Sequence, residues 1–274
     1  MRFGDTTDSF GSFGGHGNGV VRIYHSFARS GGTLVNKFLG VHNECLVLSE
    51  VNPAVSYKPL GEQAVEWLGL IAAHEQNRFL RLAYAEQVSL LYARARDAGK
   101  HLVVRDWVTV NFLPNTAQFH GRPSGVLEQT AYLRNAGFET LSVVVARRAV
   151  AVYKSIVDNF VQFENLTIDD FANAYLAYAQ AVSTLPVFQL EHISRRPEQE
   201  IPRIISALNL PATDINDVLQ RFSNFDKCTG DNTLARQLDN TKSGQNILVH
   251  PVEAEELSAD SRLQQADRLL GYDK

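Results

Sequence analysis

Short apolar runs alternate with stretches of helical spacing along this chain, and that alternation leaves it few architectures. Val20–Ser26 and residues 45–48, 101–104, 140–146 and 187–190 read as strands. Residues 33–41, 61–74, 77–98, 124–136, 150–160 and 168–185 read as helices, with shorter ones at 202–208, 215–222 and 259–270. The run 140–146 (TLSVVVA) is mostly apolar, as suits a strand buried on both faces. Strands separated by helices call for a parallel sheet with both faces covered. The expectation is an α/β, three-layer sandwich with a central parallel sheet flanked by helices, in one domain over residues 20–274. Residues 1–19, rich in Gly, Ser, Asp and Thr, bury too little to offset their ordering entropy and read as a flexible tail.

Several functional classes are disfavoured. Net charge is −4, which gives no bulk attraction to nucleic acid or an anionic membrane, so any bound anion must be held by local geometry. Cys45 and Cys228 stand far apart, with no spacing for a disulfide framework or a structural zinc site. His74-Glu75 opens like a zincin motif, but Arg78 stands where the second histidine would be, so no metal is expected. No run of about 18 apolar residues occurs that could span a membrane. The first residues lack a basic-then-apolar leader pattern, and cytoplasmic residence is the expectation.

Two segments carry the chemistry. The first is Phe27-Ala28-Arg29-Ser30-Gly31-Gly32-Thr33, between the first strand and the first helix. Glycines let backbone N–H groups approach an anion, and the helix N-terminus adds about half a positive charge. The lysine of a nucleotide-triphosphatase loop is absent, since the stretch reads Gly31-Gly32-Thr33. The second is Val143-Val144-Val145-Ala146-Arg147-Arg148, a strand running into two arginines, with Ser155 eight residues after Arg147. In an open parallel sheet ligands bind beyond the carboxyl ends of the strands, and a planar guanidinium there suits a phosphate.

Together these segments resemble the two nucleotide-binding motifs of the sulfotransferases that use 3′-phosphoadenosine 5′-phosphosulfate (PAPS). In that family the first loop reads Pro-Lys-Ser-Gly-Thr-Thr or Pro-Arg-Ser-Gly-Thr-Thr. Arg29, Ser30, Gly31 and Thr33 match it, Gly32 replaces the first threonine and Ala28 the proline. The resemblance runs from about Val20 to Arg236 and implies the family's P-loop-like fold. It implies Arg29 on the sulfonate, Ser30, Gly31, Gly32 and Thr33 around the 5′-phosphate, and Arg147 with Ser155 on the 3′-phosphate. Thr229-Gly230-Asp231 with Arg236 resembles the loop that closes over the nucleotide, and Arg236 is a further phosphate candidate. PAPS is then the co-substrate, without a metal, and the acceptor a hydroxyl of a sugar, lipid, small natural product or peptide.

For the base that takes the acceptor's proton there are two main candidates. Glu50 ends the second strand, where tyrosylprotein sulfotransferases carry a catalytic glutamate after the same loop. Asp106 lies in Arg105-Asp106-Trp107, where cytosolic sulfotransferases read Lys-Thr-His with the histidine as base. No histidine occupies that place here, which favours Glu50 over Asp106. Arg105 is a candidate to help hold the sulfonate, and His25 stays in view as a third base. The rival readings are a P-loop-like kinase, using 102–106 as a magnesium-binding strand, and a non-catalytic nucleotide-binding protein of the same fold.

Overall fold

The computed structural model describes residues 19–114, 123–160, 163, 165–230, 255 and 257–272. Five parallel strands form its sheet: β1 (Val20–Ser26), β2 (Cys45–Val51), β3 (His101–Asp106), β4 (Glu139–Ala146) and β5 (Val187–Gln189). Their order is β2-β3-β1-β4-β5. The chain leaves β1 toward β2 on one side and later crosses to β4 on the other, so β1 is the topological switch point. A crevice opens beyond the carboxyl end of such a strand.

Helices cover both faces. On one side, α1 (Gly32–Gly40) lays Leu34, Val35, Phe38 and Leu39 against Val103, Val143 and Val145 of the sheet. On the opposite side, Val21, Ile23, Leu48 and Val104 meet Val88, Leu91 and Ala95, while Val144 and Ala146 pack in a separate apolar cluster further along. The fold is the expected three-layer α/β sandwich.

Two long helices expected after β2 are broken. The region 61–74 divides into α2 (Leu60–Glu62), a π-helical turn (Gln63–Trp67) and a 3₁₀ turn (Ala73–Glu75) that leads into α3 (Gln76–Phe79). The break falls at Gly69, whose φ of 63° is left-handed, with the Leu70 N–H donating to the carbonyl of Ala64. The region 77–98 breaks at Ala83, whose extended backbone starts α4 (Tyr84–Asp97), with the Glu86 carboxylate bonding the Ala83 N–H. Beside the zincin-like pair, Glu75 takes both arms of the Arg94 guanidinium at 2.7 and 2.8 Å, and this holds its carboxyl down at about 2.

Among the described residues the chain continues with α5 (Thr109–Phe112), α6 (Glu128–Asn135), α7 (Ala149–Asn159), α8 (Ile168–Val182), α9 (Leu190–Arg195), α10 (Pro197–Ala207), α11 (Ile215–Arg221) and α12 (Ser261–Leu269). Helix α10 starts five residues before the expected 202, because Pro197 suits a first helical turn. Among the described residues no helix is long and apolar enough to cross a membrane.

Candidate functional site

The turn after β1 is strained where it must bend. Gly31, which caps α1, has φ 90°, and Arg29 adopts φ 66° despite its side chain. A left-handed non-glycine residue costs on the order of 1–3 kcal/mol and persists only where its surroundings enforce it. The Ser30 N–H bonds the Phe27 carbonyl at 3.1 Å, the Ala28 N–H bonds Thr109 Oγ1 at 2.8 Å, and Phe27 sits edge-on to Phe171 and Tyr175. The turn is therefore anchored from below, and the first N–H groups of α1 lie at the crevice without intrahelical partners.

Arg29 and Arg147, 118 residues apart, meet at this turn. Arg147 Nη1 donates to the Arg29 carbonyl at 3.2 Å, and Arg29 Nε donates to Ser155 Oγ, on α7, at 2.8 Å. The Arg29 guanidinium also lies over the Phe160 ring, 5.6 Å from its centroid. The Tyr175 hydroxyl fixes the end of β4 by donating to the Arg147 carbonyl at 2.6 Å. Burial, opposed by Glu191 and reinforced by Arg29, pulls the Arg147 pKa below the usual guanidinium value. Among the described residues no carboxylate pairs with the Arg147 guanidinium. Two arginines brought together at the turn that leads into a helix N-terminus make a site suited to an anion. Arg148 turns away, toward Asp267 at 3.9 Å and the Tyr272 ring.

The hydroxyls of the turn point inward. Ser30 is fully buried, so its side chain lies beneath the turn. Thr33 Oγ1 donates to the Thr229 carbonyl at 3.1 Å and accepts from Arg105 Nη1 at 3.3 Å. The segment carrying Thr229 and Gly230 thus packs directly on the first turn of α1. Thr229 also bonds the Ser49 hydroxyl through its N–H (3.1 Å) and its own hydroxyl (2.8 Å).

Gly32 has a specific neighbour. A Cβ there would fall 2.3 Å from Ser26 Oγ and 2.7 Å from Arg105 Nε. The buried guanidinium of Arg105 fills that space, and it reaches to the neighbouring strand β2 to pair with Glu50 Oε1 at 2.7 Å. Glu50 sits on a β-bulge. Leu48 pairs with Val104 but Val51 with Asp106, so one extra residue is inserted, and Glu50 takes φ 49°. Bulges of this kind re-aim a side chain. Gln63, fully buried, closes the bulge with its amide: Oε1 accepts from the Ser49 N–H at 2.7 Å, and Nε2 donates to the Ser49 carbonyl at 2.8 Å.

Asp106 is placed differently. It is fully buried, and its Oδ2 lies 2.8 Å from Nδ1 of His25, also fully buried, across the β1–β3 pairing. Thr130 Oγ1 stands 3.4 Å from the other ring nitrogen. Trp107 packs edge-to-face with Tyr57 beside this level of the sheet.

No protein-family model matches this chain, and no curated protein sequence does. Among solved structures, the sulfotransferase domain of the olefin synthase of Synechococcus PCC 7002 matches with a TM-score of 0.51 at 15% identity. The match covers 93% of this chain and 95% of that one. The fold is sulfotransferase-like. That likeness covers nearly the whole chain, and at such low identity it concerns architecture alone.

Within this sulfotransferase-like fold, Arg29, Gly31, Gly32, Thr33, Arg147 and Ser155 gather at the end of β1, while Glu50 stands nearby on β2 through its link to Arg105. Arg236 lies outside the described residues. Sequence reasoning missed Gln63, and it read Gly32 as a plain replacement rather than as the partner of Arg105. An amide that bonds backbone leaves no periodic signal, so Gln63 looked like any helical residue.

Proposed function

We propose that this chain transfers a sulfonate from PAPS to a hydroxyl acceptor. The observation that carries this reading is the meeting of Arg29 and Arg147 in the turn that leads into α1, where Arg147 donates to the Arg29 carbonyl at 3.2 Å and Arg29 donates to Ser155 at 2.8 Å. A donor with phosphate groups at both ends of its ribose needs two such cationic positions. The Gly31–Gly32 turn and the unpartnered N–H groups that open a helix fit the 5′ end, and Arg147 fits the 3′-phosphate.

PAPS supplies an activated sulfonate, whose S–O bond to the 5′-phosphate breaks as the acceptor oxygen bonds to sulfur. Positioning and charge stabilisation carry most of such an in-line transfer. Arg29 neutralises the charge that develops on the leaving phosphate oxygen. Glu50 takes the acceptor's proton; with Oε1 held by Arg105, Oε2 is the atom left to receive it. Asp106, fully buried against His25, is not assigned the base.

Incubation with radiolabelled PAPS and fractionated cell extracts, in the presence of EDTA, tests the reading. Transfer of label to a product supports it, and Arg29→Ala should then slow transfer by about 3 kcal/mol of barrier, roughly 10²-fold. Metal-dependent transfer of the γ-phosphate of ATP in the same fractions, with no sulfonate transfer, would favour a kinase instead.

A further inference from the structure

We infer that Arg105 is a positioning residue that aims Glu50, and that position 32 is glycine in order to admit it. The inference rests on the reading of Glu50 as the base. Four observations converge on it. Arg105 is buried, with only 6% of the residue exposed, yet its guanidinium bonds Glu50 Oε1 at 2.7 Å. Its Nη1 is fixed by Thr33 Oγ1 and the Thr229 carbonyl, at 3.3 and 3.1 Å. Any side chain at position 32 would press on Nε and on Nη2, the nitrogen that holds Glu50, at 2.7 and 2.9 Å. Glu50 itself stands in a left-handed conformation on a bulge, which alone leaves its carboxylate free to rotate about its side-chain torsions.

The guanidinium therefore joins three separate stretches of chain, the turn after β1, the bulge in β2 and the segment around Thr229, and holds one oxygen of the Glu50 carboxylate. Nη1 and Nη2 are committed to protein groups, and Nε is buried against Gly32 without a hydrogen-bond partner among the described residues, so Arg105 acts through Glu50. A lysine in its place offers one point of contact where the fork offers several, and cannot hold Glu50 and Thr33 in the same plane.

Release of inorganic sulfate from radiolabelled PAPS, with water as acceptor, gives a readout that needs no identified acceptor. The water oxygen bonds to sulfur, Glu50 takes the water's proton, and the S–O bond electrons leave with adenosine 3′,5′-bisphosphate. Arg105→Lys is expected to lower kcat for this release on the order of 10²-fold, the size of a misplaced catalytic group, while KM stays near the wild-type value. Gly32→Ala should reproduce that fall by displacing the guanidinium. In a Glu50→Gln background Arg105→Lys should have no further effect, because the group it positions is gone. Additive losses in that background, or calorimetric binding of the bisphosphate weakened more than about tenfold by Arg105→Lys, would overturn the inference, since Arg105 would then act on the donor or the turn directly. Wild-type protein that binds the bisphosphate but releases no sulfate above the solvent rate would overturn it too, leaving the donor site standing. Failure of the wild type to bind the bisphosphate at all would instead sink the proposed function.

Discussion

Glu50 and Asp106 stand at the carboxyl ends of neighbouring strands of one sheet, Glu50 one residue before the last, and live in opposite environments. Glu50 is lifted out of the β2 ladder by a bulge, keeps 16% of its side chain exposed, and pairs with a guanidinium that also touches Thr33 in the turn after β1. Asp106 stays in the regular β1–β3 register, fully buried, and pairs with a histidine that is itself sealed from solvent. The difference teaches that a carboxylate at the carboxyl end of a strand is only a candidate. Whether the ladder delivers it to the crevice or folds it into the layer beneath decides its use.

The contrast can be broken in order of expected effect. Glu50→Gln should lower turnover by about 10²–10⁴-fold, the usual worth of a general base, measured at a temperature where the variant is folded, since loss of charge beside the buried Arg105 also lowers its melt. A variant that turned over normally would remove the distinction altogether. Asp106→Ala should act through stability: it leaves the buried His25 nitrogen unpaired, costing about 1–3 kcal/mol, or several degrees in a thermal melt. Turnover measured well below the melt should fall less than in Glu50→Gln. The smallest effect belongs to Thr130→Val, which deletes only the long 3.4 Å contact to His25. Its melt should stay within about 1 kcal/mol of wild type, and a larger loss would mean that the buried cluster depends on that hydroxyl.

Much of this arrangement was legible in residue pattern. The alternation of apolar runs and helical spacing foretold the parallel sheet, with β1 matching residue for residue. The glycine-rich turn at 27–33 and the arginine after β4 were recognisable because their chemistry is local: a strand end, a helix start, a cation. What escaped was created by contacts between distant segments. The end of β2 was read at Leu48 because Ser49-Glu50 looks like a turn, whereas the amide of Gln63 satisfies the Ser49 backbone and lets the strand continue to Val51. The breaks at Gly69 and Ala83 were hidden because apolar residues on either side keep helical spacing. The demand for glycine at position 32 comes from a residue 73 positions later, which no local pattern records.

The central claim is that two cationic positions serve one nucleotide, and calorimetric titration with adenosine 3′,5′-bisphosphate in EDTA addresses it most directly. The account predicts metal-independent binding by the wild type, weakened roughly 10–100-fold in Arg147→Ala, as suits loss of a charged hydrogen-bond donor to phosphate. Equal affinities for the two proteins, or heat evolved only when ATP and magnesium are supplied together, would contradict it.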